Sequence, residues 1–384
     1  MKESLVIAMK LRSSYVYASF AGLSAAVLAG SLAVGCSTTE TTPAPVGGEH
    51  KLPPAEPEAG VAGDGAGFVY AVNKLFLGET DRNGSPKSDA WEDYGYDLDG
   101  KISTKTSTDL CKPRPGAIPA SVRQDGKGGV DNSFGKNLIP IIASLAQNPS
   151  STVNENILAG DFTVITRIDT LGAGPDYREL PAQLYVGSKL GMAAKFDGSD
   201  VWPVIPELLS DPTDIDSSLV KFPKSYVSAH TWVSGTPTPL DLTISVAGFA
   251  LTLKISKAVI SMDLDADRKG TSNGIIAGVI PVEELISELK KVAGSFSAEL
   301  CTGNTFESIA EQIRQASDIM DDGTQNPTKE CNAISIGLGF ESKAIQLGAI
   351  AAKADPPADP CAEGTGGAGG EATGGGMMGT GGGG

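Results

Sequence analysis

The sequence predicts a mainly β fold: an antiparallel β-sandwich of jelly-roll-like type with a few peripheral helices, built by a single globular domain over residues 65–352. Three observations lead there. Apolar side chains in that stretch recur mostly with period two, the repeat of a strand whose faces alternate between core and water. Helical periodicity is confined to three short segments. Strands and helices do not alternate regularly along the chain, which argues against a doubly wound parallel sheet.

Within 161–170, Phe162, Val164 and Thr166 alternate with Thr163, Ile165 and Arg167, the pattern of a half-buried strand. Residues 242–246 and 249–255 read as a hairpin around Gly248, and further strands are expected at 183–189, 225–233, 258–266, 274–280 and 333–340. One helix begins at Asn304 or Thr305 and sets Phe306, Ile309, Ile313, Ala316 and Met320 on one face. A second starts at Pro281 and runs to Val292, stopped by Gly294. A third follows Asn137, where Leu138, Ile141, Ile142 and Leu145 are apolar.

The ends are unlike the middle. Lys10 and Arg12 precede a run, 15–34, that is apolar or small throughout and carries no charge, as a targeting segment does. About 20 apolar residues also suffice to span a bilayer, but this run is rich in Ala, Gly and Ser and has no basic residues behind it to stop transfer. Residues 36–64 are Thr, Pro, Ala, Glu and Gly with little to bury, the composition of a flexible tether. The stretch 353–384 reads as a disordered Gly-rich tail; 13 of the 23 residues from 362 to 384 are glycine, too many for a core.

The leader ends in Leu32-Ala33-Val34-Gly35-Cys36, which resembles the lipobox of bacterial lipoproteins. That resemblance implies cleavage before Cys36, acylation of its sulfur and a membrane held through the lipid. Ala33 departs from the Leu usual at its position. A plain secretory signal with an incidental cysteine is the competing reading. Ser37 implies passage to the outer membrane. The layout of lipobox, spacer, domain and Gly-rich tail, with Gly95-Tyr96-Asp97-Leu98-Asp99-Gly100 and Val130-Asp131-Asn132, resembles lipoproteins of myxobacterial type and implies no activity. Removal of residues 1–35 takes away Lys2, Lys10, Arg12 and Glu3 and leaves 27 basic and 45 acidic side chains, a net charge of −18. Nucleic acid is thereby disfavoured as a partner.

Besides Cys36 the chain has Cys111, Cys301, Cys331 and Cys361, an even set suited to two disulfides in an exported protein. Three pairings are open. Cys301 with Cys331 is favoured because they flank one helix and its following loop, leaving Cys111 with Cys361.

Catalytic patterns are weak. Gly-Thr-Ser-Asn-Gly at 270–274 spells a nucleophile elbow, but a strand rather than a helix should follow and no histidine comes after His230. It reads as a hairpin turn. The Ser-x-x-Lys strings at 133–136 and 218–221 lack the companion elements of β-lactamase-like enzymes. Of the two histidines, His50 falls in the tether, so zinc or acid–base chemistry would rest on His230 alone. Carboxylate-only glycosidase chemistry survives this test, without a designated pair.

Two binding constellations remain. Asp97 and Asp99, followed by Gly100, resemble part of a calcium loop that lacks its other ligands, which Asp131 would complete from elsewhere; a polar turn is the plainer reading. Asp263, Asp265 and Asp267 have similar spacing but read as the wet face of a strand. In a continuous strand Tyr226, Ser228, His230 and Trp232 would share one face opposite Val227, Ala229 and Val233, giving an aromatic stripe able to stack on sugars; burial of the rings is the alternative. The expectation is a non-enzymatic envelope lipoprotein carrying a structural or interaction domain. The alternative is a carbohydrate-binding module, with calcium as its cofactor and envelope polysaccharide or another envelope protein as partner.

Overall fold

The computed structural model describes residues 49–353 apart from 146–147, 247–248 and 302–303, together with Cys361. The leader, Cys36 and the tail from 362 onward lie outside the described residues.

The fold is mainly β, and its centre is a closed barrel rather than a jelly-roll sandwich. Eight strands form the wall: β1 (Phe68–Phe76), β2 (Thr163–Ile168), β3 (Tyr177–Gly187), β5 (Val220–Ser228), β6 (Thr231–Val233), β8 (Phe249–Leu264), β9 (Gly270–Pro281) and β10 (Ala333–Ala344). Their order is β3-β2-β1-β10-β9-β8-β6-β5, and β5 returns to pair with β3, every neighbour antiparallel. Three further strands lie outside the ring: β4 (Val201–Val204) joins β3, β11 (Gln346–Ile350) runs parallel to β4, and β7 (Thr238–Val246) pairs with the first half of β8.

Closure comes from long strands that use both edges and bend. Register shifts at Val72/Lys74, Ser256/Val259 and Phe340/Ser342 supply the coil that a small barrel requires. Closing also removes exposed edges. The interior is filled: Tyr70, Leu184, Phe222, Trp232, Met262 and Phe340 belong to one buried cluster. Outside the wall, Ala71, Ile165 and Tyr185 pack against Trp202 and Val204 of β4. With both faces of β1 covered, its sequence FVYAVNKLF does not alternate, which hid it from the period-two reading.

Five α-helices are described: α1 (Pro119–Arg123), α2 (Ile139–Leu145), α3 (Pro149–Ala159), α4 (Val282–Phe296) and α5 (Thr305–Gln315). Helix α4 continues through Gly294, contrary to expectation. A mid-helix Gly costs about 1 kcal/mol against Ala, and the face made by Val282, Leu285, Ile286, Leu289 and Val292, all buried, outweighs it.

Two more expectations are corrected. The segment expected to remain tether through residue 64 packs on the barrel from residue 49. The Lys51 amide donates to Gly128 O at 2.8 Å, Tyr226 Oη to Pro54 O at 2.6 Å, and Tyr177 Oη to Asp64 at 2.7 Å. Polar bonds fasten this strap, so its lack of apolar residues misled. The disulfides are Cys111–Cys331 and Cys301–Cys361. Lys112 bridges in parallel with Glu330, and the Cys331 amide donates to Lys112 O, so tertiary pairing rather than sequence nearness chose the partner.

Candidate functional site

The residues that the sequence singled out as metal ligands converge. Asn132 is their organiser. Its Nδ2 donates to the carbonyls of Trp91, Tyr94 and Gly337 at 3.1, 2.9 and 3.0 Å, and its Oδ1 accepts from the amides of Gly135 and Gly337. Two loops are thereby fixed to β10. At Gly337 a Cβ would stand 2.2 Å from Tyr94 O, so only glycine admits the 90–95 loop so close to the strand.

The next residues carry the carboxylates. Asp97 Oδ1 accepts from the amides of Gly100 and Lys101 at 2.7 and 3.1 Å, closing the turn, while its Oδ2 meets His50 Nδ1. Asp99 accepts from the Lys101 amide and from Gln325 Nε2, each at 2.8 Å. Asp131 Oδ2 accepts from the Leu98 amide at 2.7 Å. One oxygen from each of Asp97, Asp99 and Asp131 lies within 4.8 Å of the others. Asp97 and Asp131 are buried and Asp99 half-buried.

Burial pushes the carboxyl of Asp131 well above the usual range, with Asp99, Asp125 and Asp318 adding to the push, and raises Asp99 too. Two acids missed in the sequence complete the surroundings. Burial lifts Asp125 to about 8, although its carboxylate accepts from the Ser103 amide at 2.5 Å. Asp318 rises to about 7 for the same reason while accepting from the Ser335 amide and hydroxyl at 2.9 and 2.5 Å. Neither stands in a ligand-spaced motif, so no sequence signal pointed to them. Buried acids crowded in this way are neutralised either by protons or by a cation. A hard divalent ion such as calcium, which takes oxygen ligands, suits the Asp97–Asp99–Asp131 set, which supplies about half of the six to eight it needs.

No family model, curated protein or solved structure matches the chain. Function has to be argued from these residues.

The aromatic stripe does not form. Ala229 and His230 both have positive φ, 48° and 68°, and make a two-residue turn between β5 and β6. The hairpin pairs Val227 with Trp232 and Tyr226 with Val233, so Tyr226 and Trp232 face opposite sides of the wall. Trp232 is 0% exposed inside the barrel, edge-on to Phe222, with Nε1 donating to Ser225 Oγ at 2.9 Å. His230 is exposed at the turn, apart from both rings.

Residues 270–274 are not the expected turn; they lie in β9, where Ser272 pairs with Asp263. Asp263 accepts from Thr231 Oγ1 and Asn273 Nδ2, and β8 ends before Asp265 and Asp267. Ser133 Oγ donates to Ala316 O, and Lys136 Nζ donates to the carbonyls of Ser121 and Gln124 rather than activating that serine. Ser218 Oγ donates to Leu184 O.

Proposed function

We propose that the protein is a lipoprotein of the bacterial outer membrane, anchored through acyl chains on Cys36, whose barrel is a non-catalytic structural or interaction domain. One observation carries this reading. The four cysteines other than Cys36 pair with one another, the state expected of an exported chain, and leave the lipobox cysteine over. Two or three acyl chains, at about 0.8 kcal/mol per buried methylene, hold a protein stably to a bilayer. The filled barrel and the structural roles of Ser133, Ser218 and Ser272 favour a domain that acts through its surface. The test is intact mass spectrometry of the protein from its native membrane fraction. A mature N-terminus at Cys36 with acyl mass is expected; an unmodified soluble chain cut elsewhere sinks the reading.

A calcium-dependent carbohydrate-binding module is a second reading, and the Asp97–Asp99–Asp131 set alone now favours it. Retention on envelope polysaccharide should then require calcium and vanish in a chelator or in Asp131→Ala. Retention indifferent to calcium removes it.

A further inference from the structure

The strap that enters the fold at Glu49 does so on a basic loop layer of an acidic protein. Residues 101–127 contain six basic side chains, Lys101, Lys105, Lys112, Arg114, Arg123 and Lys127, against two acids, Asp109 and Asp125, whereas the whole chain has 30 basic and 46 acidic. Asp109 is paired with Lys101, and the Asp125 carboxylate is turned to the Ser103 amide, from which it accepts at 2.5 Å. Lys105, Lys112 and Lys127 are exposed and make no ion pair with the described residues. Lys105 and Lys127 stand on the rim of one open cleft of about 470 Å³, which Glu92 and Asp125 also line.

The apolar residue on this layer is equally telling. Ile118 is 71% exposed, more than any other large hydrophobic side chain described, and sits just before α1, which leads to Gln124 and Asp125 on the cleft. Leu52, 59% exposed, follows Lys51 in the strap, whose amide is bonded to Gly128 O at the end of this layer. Exposed apolar side chains and unpaired lysines on one layer match the interface of an anionic bilayer, which attracts basic side chains and takes up apolar ones.

Chain length adds the placement. Thirteen residue steps separate Cys36 from Glu49, so that segment reaches at most about 45 Å when fully extended. A lipid on Cys36 would therefore hold Glu49, whose carbonyl lies beside Gly128, no farther than that length from the bilayer.

We infer that the loop layer 101–127, through Lys105, Lys127 and Ile118, is a membrane-facing surface that rests on anionic phospholipid headgroups and sets the barrel's orientation on the membrane. This rests on the lipid-anchor reading, so its test dispenses with the anchor. The mature chain carrying Cys36→Ser is sedimented with vesicles of phosphatidylethanolamine and phosphatidylglycerol, and with vesicles of phosphatidylcholine. Binding to the anionic vesicles alone is expected, weakening with salt and falling at least tenfold in Lys105→Glu/Lys127→Glu and measurably in Ile118→Ser. Lys221→Glu, on the exposed side of β5, should leave binding unchanged, and unaltered melting curves show that the variants fold. Equal binding to both vesicles, no binding to either, or indifference to the substitutions overturns the inference. Absence of acyl mass on the native protein would instead overturn the anchor reading, whatever the vesicles report.

Discussion

Asp131 tests the cation site at the scale of one side chain. Its oxygen accepts from the Leu98 amide while its neighbours Asp97 and Asp99 crowd it, so a bound ion should stabilise the fold by mass action. Calcium at a hundredfold excess over its dissociation constant adds about 2.7 kcal/mol. The melting temperature should rise with calcium in the native chain and stay fixed in Asp131→Ala. An unresponsive native chain removes the site. Asp97 and Asp99 were legible because two carboxylates two apart before a glycine form a recognisable turn. Asp125 and Asp318 were not, since burial and distant neighbours give them their character, and neither is a property of local sequence.

Those two acids also predict a pH dependence in metal-free buffer. Burial lifts Asp318 from 3.8 to about 7 and Asp125 from 3.8 to about 8. The folded chain keeps protons that the unfolded chain has already released, so stability falls as pH rises from about 4 to about 8, and Asp131, pushed up by the same burial, adds to that fall. Asp318→Asn holds that position neutral and should flatten the part of the slope below about pH 7. Urea midpoints from pH 4 to 9 in a chelator measure this; an unchanged slope in the variant would show that Asp318 does not titrate there.

At the scale of elements, the β5–β6 hairpin shows why a periodic pattern misled. The turn residues Ala229 and His230 are not the Asn-Gly or Gly pairs that announce tight turns, so 225–233 read as one strand and Trp232 was assigned to the face of Tyr226. Because Trp232 fills the barrel interior, Trp232→Ala should cost about 3–5 kcal/mol of stability, read as a lower urea midpoint. A cost under about 1 kcal/mol would mean that the ring is not packed. Disulfide pairing was hidden for a related reason. Cys111 and Cys331 are 220 residues apart and meet only because the loop before α1 runs beside the start of β10. Non-reducing peptide mapping should find Cys111–Cys331 and Cys301–Cys361, and Cys111→Ser/Cys331→Ser should lose about 2–5 kcal/mol. A Cys301–Cys331 peptide would contradict the fold around β10.

At the scale of the whole molecule, the class of the fold was readable and its closure was not. Period-two runs located β2, β9 and β10, but a barrel differs from a sandwich in whether β3 meets β5, a pairing between Tyr177–Gly187 and Val220–Ser228 that no local pattern specifies. The domain boundary was misjudged on similar grounds, because the strap at 49–64 is held by polar bonds. The Lys51 amide reaches Gly128, Lys51 O accepts from Asp97, Arg178 binds Glu56 at 2.9 Å, and the Arg178 amide reaches Val61 O. Each neutral bond contributes about 0.5–1.5 kcal/mol net, and the exposed Arg178–Glu56 pair less. A chain beginning at residue 65 should therefore be less stable than one beginning at residue 49 by on the order of 2–4 kcal/mol. It should also lose the contact that His50 makes with Asp97 and bind calcium differently. Equal stability and equal calcium response of the two chains would return the strap to the tether and move the start of the domain to β1.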